Sequence, residues 1–318
     1  MMRADDPQPL EAPLRHAAEF DVIRAIADAL GDHATGLGDD AAVFALPRGD
    51  ACVVSVDASV EGVHFRREWL DAREIGYRAA AAAMSDLAAM AARPQVLLLA
   101  LAVPRDWIDQ VPEIARGVGE LAAAVGAKVA GGNLSAGREL SITTSVIGSA
   151  FTPLRRTTLE PGDRISVTGR LGGAAAALRE LVAGHVPPPA HRDRFARPAP
   201  RIRAAVWGAS HGAVAGIDVS DGLLADLEHL AAASSLSIVL DAARVPRMEG
   251  VTLEEAVTSG EEYELVVGAR REIDRAAFEA RFGIPLTEIA RAEAGVPTVV
   301  AHGIARVAKP PGHDHFST

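Results

Sequence analysis

Apolar runs of strand length alternate along this chain with longer stretches in helical spacing, the pattern of an α/β or α+β protein. Residues 20–30 predict a first helix that stops at Gly31. Residues 41–46 and 51–56 predict two strands around the turn Pro47-Arg48-Gly49-Asp50, the second interrupted by Glu61-Gly62 near His64. Residues 71–92 are helical, 96–103 form an apolar strand closed by Pro104, 107–125 read as one amphipathic helix, and 140–148 as another strand. The first half therefore reads β, β, α, β, α, β.

A polar stretch over 153–162, ending in Pro161-Gly162-Asp163, marks a boundary and divides the chain into domains at 1–150 and 151–318. Beyond it come a strand at 164–168, the turn Gly169-Arg170-Leu171-Gly172-Gly173, and an Ala-rich helix to Val182. Residues 187–200 read as a Pro- and Arg-rich connection. Strands follow at 213–219, 237–240, 264–267, 287–290 and 298–301, with helices at 223–233 and 273–282.

Against this pattern the acidic residues stand out. Asp39, Asp40, Asp57, Asp86, Asp218 and Asp221 each sit at the end of an apolar strand or inside an apolar helix. A carboxylate is costly there unless a cation or hydrogen bonds compensate it. Any one of them reads equally as a turn former or a cap, and Asp221 before Gly222 fits an N-cap. Six together point to a hard cation. Oxygen donors without a Cys or His cluster suit Mg²⁺ rather than Zn²⁺. The glycines at 131–132, 169, 172–173 and 222 form a second set, whose turn amides could cradle phosphate oxygens. His64 reads as a substrate contact or as a satisfied buried imidazole. Arg155 and Arg156 suit a phosphate as well as plain solvation.

Composition narrows the partners. The 318 residues are 49% hydrophobic but only 4% aromatic, so Ala, Val and Leu must fill the core. A net charge of -10 disfavours nucleic acid and anionic membranes, yet it is compatible with phosphorylated small molecules bound through Mg²⁺. The lysines are Lys128 and Lys309, neither in a G-x-x-x-x-G-K-[ST] loop, which excludes a P-loop. Cys52 stands alone, so no disulfide framework or thiolate cluster is expected. The N-terminal residues lack an apolar signal core and the Ala-rich 79–92 stretch is broken by charge, so a cytoplasmic protein is expected.

Eight segments carry a resemblance: GLGDDAAV (36–43), VSVDASVEGVHF (54–65), MSDLAAMAARP (84–94), GGNLSAGRELSITTSVIG (131–148), PGDRISVTGRLGGAAAAL (161–178), IDVSDGLLADLEHL (217–230), SGEEYELVV (259–267) and GHDHF (312–316). In order and over nearly the whole chain they resemble the thiamine-monophosphate kinases of the aminoimidazole ribonucleotide synthetase-like superfamily. The resemblance implies two α/β domains, the first forming a dimer by joining sheets into a β-barrel. It implies ATP and several Mg²⁺ in a cleft, and transfer of the γ-phosphate to thiamine monophosphate. Carried over motif by motif, Asp40, Ser55, Val56, Asp57, Asp86, Asn133, Asp218 and Asp221 fall at metal-ligand positions, with Asp221 nearest the transferred phosphate as the catalytic residue. Gly132, Asn133, Arg156 and Ser220 fall at ATP contacts. His64, Glu261 or Glu262, and His313 fall at thiamine contacts.

The chain departs from the family at Asn133 and Glu262, where Asp is common, at Val56, where a hydroxyl is common, at Ala58 and Ser59, and at His313, where an aromatic ring is common. These changes keep a second expectation open: a divergent superfamily member with another ATP-dependent substrate, or a weak nucleotide-binding protein. The reactive Cys and Lys of selenophosphate synthetases and the terminal Cys of the hydrogenase maturation relatives are absent.

Overall fold

The structure, a computed structural model, describes residues 18–33 and 46–304. Contacts divide it into two units: one running to Leu87 and resuming over Arg93–Phe151, the other made of Ala88–Ala92 and the chain from Thr152.

In the first unit the strands are β1 (Ala51–Val60), β2 (Arg93–Val103), β3 (Lys128–Ala136) and β4 (Ser141–Ala150), and the helices α1 (Ala18–Leu30), α2 (Ala72–Ala89) and α3 (Val111–Val125). They form one mixed sheet in the order β1-β4-β2-β3, with β2 and β3 parallel and the other pairs antiparallel. Among the described residues this sheet is open, with β1 and β3 as its edges, and there is no closed barrel. The strand expected at 41–46 lies outside the described residues.

Helix α2 is apolar on nearly every face, and Ala79–Ala83, Met84 and Leu87 are all buried, as expected of a helix enclosed by its neighbours. Its small side chains admit close partners. A Cβ added at Gly76 would sit 2.0 Å from the Ile114 carbonyl oxygen, and one at Gly117 would sit 1.9 Å from that of Arg73. The backbones of α2 and α3 therefore touch where only glycine fits.

Two expectations change here. The helix expected over 107–125 is a 3-10 segment at Arg105–Gln110 followed by α3, because Pro112 occupies the first turn of α3, where its missing N–H costs nothing. Gly131 and Gly132 form no turn; they lie inside β3. A Cβ at Gly132 would stand 1.8 Å from the Leu99 carbonyl oxygen, so that glycine allows two strands to run unusually close.

The second unit carries β5 (Arg164–Thr168), β6 (Ala213–Asp218), β7 (Ser237–Asp241), β8 (Leu265–Ala269), β9 (Leu286–Glu293) and β10 (Thr298–His302). Their order is β10-β7-β9-β5-β8-β6, parallel only between β10 and β7. Helices α4 (Gly173–Val182), α5 (Pro189–Ala196), α6 (Ile202–Ser210), α7 (Leu223–Ser234), α8 (Leu253–Thr258) and α9 (Arg275–Phe282) accompany it. The core joins Ile165, Val167, Ile217, Ile238 and Val266 of the sheet with Leu223, Leu227 and Leu230 of α7. The expected connection at 187–200 contains α5, which Pro189 begins rather than breaks.

Candidate active site

The alternation of β1 separates its chemistry from its apolar side. Ser55 and Asp57 point toward α2, while Val54 and Val56 point away and are 62% and 64% exposed. Ser55 Oγ donates to Asp86 Oδ2 of α2 at 2.5 Å, so a strand hydroxyl and the half-buried helix carboxylate are brought together. Asp57 Oδ1 accepts the Ala58 N–H at 2.7 Å. Across the ladder Asp57 pairs with Thr144, whose fully buried hydroxyl has no hydrogen-bond partner among the described residues. Buried hydroxyls are nearly always satisfied, so this group points to a ligand or water beside Asp57. Asp57 lies inside β1 rather than at its end, since the strand runs on to Val60.

The same register separates other candidates. Asp57, Thr144, Leu99 and Gly132 share one row across the sheet, whereas Ala58, Thr143, Ala100 and Asn133 share the next. Asn133 is exposed on the outward row, and Val56 faces outward with no side-chain donor atom. The structure thus joins Ser55 to Asp86 and sets Val56 and Asn133 on the other face. Asp39, Asp40 and His313 lie outside the described residues.

His64 closes a tight loop after β1. Its Nδ1 accepts the Val60 N–H at 3.1 Å and its own N–H donates to the Val60 carbonyl at 2.9 Å. An accepting Nδ1 leaves the neutral ring with its proton on Nε2. Behind the loop, Glu61 accepts from Arg67 Nε at 2.8 Å and from the Trp107 indole at 2.9 Å, and the Arg67 guanidinium lies over the Trp107 ring. Burial works against the charge of Glu61, but these donors hold its carboxyl below the ordinary range.

In the second unit, β6 delivers the buried Asp218 and then the Ser220-Asp221-Gly222 turn. The amides of Ser220, Asp221 and Gly222 all donate to Asp226 Oδ2, at 3.1, 3.2 and 3.1 Å. Asp226 therefore occupies the anion position of this glycine turn. Burial, then the charges of Asp218 and Asp221, push its carboxyl up to about 8. Asp218, Asp221 and Asp226 gather three carboxyl groups in one place, as a cation site does. His229 Nε2 lies 3.7 Å from Asp221 Oδ2.

The second glycine turn is filled in the same way. Glu262, fully buried, accepts from Gly172 N at 3.0 Å, Ala174 N at 2.9 Å and Ser259 Oγ at 2.6 Å. The turn at 169–173 thus binds a carboxylate of its own chain, not a phosphate. Burial pushes the Glu262 carboxyl up against the opposing charge of Arg194. Glu264 is also buried, yet Arg201 and Arg194 hold its carboxyl down; Arg201 Nε reaches Oε2 at 2.7 Å and Nη2 reaches Oε1 at 2.5 Å. Glu261 is half-buried, and its N–H donates to the Ser220 carbonyl at 2.7 Å. Of the two glutamates singled out in the sequence, Glu261 lies against Ser220, and Glu262 is buried with Oε1 accepting three internal hydrogen bonds.

Arg156 is exposed, and its carbonyl accepts from Ser234 Oγ at the far end of α7 from Asp221. Twelve helical residues separate the two ends, about 18 Å at 1.5 Å per residue. The structure does not bring its backbone to the Ser220-Asp221 turn. Among the described residues no three His, Cys, Asp or Glu side chains form a complete metal cluster. The donors fit hard cations by type, as two partial sets of oxygens: Ser55, Asp57, Asp86 and Thr144 on one unit, Asp218 and Asp221 on the other.

Residues 38–150 match the AIR synthase related protein N-terminal domain, and residues 160–302 the corresponding C-terminal domain. The thiamine-monophosphate kinase of Salmonella typhimurium is 32% identical over 316 residues, covering 90% of this chain and 93% of its own length. The chain belongs to the thiamine-monophosphate kinase family. The crystal structure of the Stenotrophomonas maltophilia member of that family is 34% identical, with a TM-score of 0.80 over 92% of this chain and 98% of that one. AaThiL complexed with AMPPCP and TMP is 28% identical, with a TM-score of 0.76 over 94% and 97%.

Asp226, Thr144, Glu264, Arg194 and Arg201 are additions that the sequence reading does not single out. Asp226 has a signal of its own, an acid inside the apolar run of residues 223–227. The two arginines have none, because their glutamate partners lie more than 60 residues away.

Proposed function

We propose that this protein transfers the γ-phosphate of ATP to thiamine monophosphate, giving thiamine diphosphate and ADP. The observation that carries the reading is the near full-length match to a kinase solved with an ATP analogue and TMP. An oxygen of the acceptor phosphate forms the new bond to the γ-phosphorus as the bond to ADP breaks in line. That oxygen is already anionic, so no general base is required, and positioning with charge neutralisation is enough.

We assign Mg²⁺ to the two oxygen sets, with Ser55, Asp57 and Asp86 on the first unit and Asp218 and Asp221 on the second; bound Mg²⁺ would neutralise phosphate charge. Asp40, Asn133 through its side-chain oxygen and Val56 through its backbone carbonyl remain further candidates from the family pattern, as do Gly132, Ser220 and Arg156 for ATP. His64, with its proton on Nε2, and Glu261, beside the Ser220-Asp221 turn, are assigned to the acceptor from the family pattern. His313 completes the proposed thiamine set.

The test is the purified protein with ATP, Mg²⁺ and thiamine monophosphate, with thiamine diphosphate followed by thiochrome fluorescence. Product formation is expected. ATP binding without product would replace this reading with that of a nucleotide-binding relative.

The outward face of the first sheet supports a second copy of the chain as partner, the two open sheets closing together into a barrel. Val54 and Val56 are exposed on the edge strand β1, and exposed apolar edges invite pairing. Val54→Lys is expected to convert a dimer into monomers in sedimentation velocity. An unchanged sedimentation coefficient would place any association elsewhere.

A further inference from the structure

Residues 259–264 follow a path that side chains with a Cβ rarely take. Glu261 and Tyr263 have φ of +56° and +52°, in the left-handed region. Such backbone persists where the surroundings over-determine it. Among the contacts that do so are those of Arg194 of α5, a residue outside every motif. Its Nη1 lies 2.8 Å from Glu264 Oε1 and donates to the Glu262 carbonyl at 3.4 Å. Its Nε lies 3.7 Å from Glu262 Oε2, and its Nη2 donates to the Arg170 carbonyl at 3.2 Å. One planar guanidinium thus ties α5 to the 169–173 turn and to the 259–264 segment.

The two glutamates it holds are fully buried and alternate with the two strained residues. With Glu262 and Glu264 fixed inward, the intervening backbone is pressed onto the loop after β6. The Glu261 N–H donates to Ser220 O at 2.7 Å and the Tyr263 N–H to Val219 O at 2.9 Å. A Cβ at Gly260 would stand 2.8 Å from the same Ser220 oxygen, so the two segments touch backbone to backbone.

We propose that Arg194 is a positioning residue for the acceptor substrate: by gripping Glu262 and Glu264 it fixes Glu261 against the Ser220-Asp221 turn. The inference rests on the assignment of Glu261 to thiamine monophosphate made above. Arginine suits the task because its planar fork reaches several acceptors at once, whereas lysine keeps the charge and offers a single point. Arg201 still pairs with Glu264 when Arg194 is changed, and lysine keeps a positive charge opposite the buried Glu262, so Arg194→Lys removes the planar fork without removing the charge.

Two measurements on Arg194→Lys test this. Hydrogen exchange needs no activity: the Glu261 and Tyr263 amides are expected to exchange about tenfold faster or more, with the β5–β8 ladder unchanged. Unaltered protection at both amides overturns the proposal. In steady-state assays the KM for thiamine monophosphate is expected to rise about tenfold, with the KM for ATP within about twofold. An equal rise in both, or a loss confined to kcat, overturns it. Arg194→Lys combined with Glu261→Ala is expected to be no worse than Glu261→Ala alone. Additive losses would remove the positioning role and leave the substrate contact standing. A Glu261→Ala protein with an unchanged KM would remove both.

Discussion

Asp57→Asn is expected to lower thiamine diphosphate formation by about a thousandfold or more, the scale on which essential charge-stabilising groups act. The change is isosteric and removes one charge. The ten residues of β1 pair with β4 along their whole length, and Asp57 lies within that ladder, so the fold should survive. What is lost is an anionic oxygen beside the buried Thr144 hydroxyl, unpartnered among the described residues, and on the same strand face as the Ser55–Asp86 pair. The check is a coupled assay across a Mg²⁺ titration, with urea unfolding run in parallel. Activity within tenfold of wild type at ordinary Mg²⁺ would take Asp57 out of the donor set. Activity recovered only at high Mg²⁺ would instead mark it as one ligand among several.

The second large effect concerns pH. Asp226 has a folded pKa raised from 3.8 to about 8, through burial and the charges of Asp218 and Asp221. The folded protein then holds a proton that the unfolded chain releases between those values. The stabilising contribution is complete below about pH 4, shrinks as pH rises, and is gone above about pH 8. At about 1.4 kcal/mol per pH unit the full window is worth several kcal/mol. In EDTA, the free energy of urea unfolding is expected to fall with pH across this range. Asp226→Asn should flatten the slope, since an amide can still accept the three backbone N–H groups without ionising. Adding Mg²⁺ should flatten it too, by neutralising the acids beside Asp226. A wild-type slope retained in Asp226→Asn would locate the titrating group elsewhere.

How much of this can be read from the sequence depends on where the partners lie. Asp218 and Asp221 are legible because an apolar strand runs straight into them, and β6 does end at Asp218. Ser55 and Asp86 are legible singly, but their hydrogen bond spans 31 positions and only packing reveals it. Glycine turns are legible as turns, whereas their occupants are not: Asp226 and Glu262 fill amides that local pattern would leave open for phosphate. Helix α8 has a readable start, the capping box of Thr252 and Glu255, which the apolar period of so short a helix does not announce. Helix α5 hides because Pro189 resembles a breaker until its place in the first turn is known. Val56 and Asn133 show the limit most clearly. A motif places residues in a line, and only the β1–β4–β2–β3 register decides which face each one serves.

Strand β1 therefore carries two inheritances on one ten-residue ribbon. Even-numbered positions such as Val54 and Val56 face outward, and odd-numbered ones such as Ser55 and Asp57 face the helix. A single inserted or deleted residue within the strand would exchange the two sets at once, burying valines where oxygens belong and exposing the acid. Point substitutions can tune either face alone, but length changes cannot. This stretch can therefore absorb a change of residue but not a change of length.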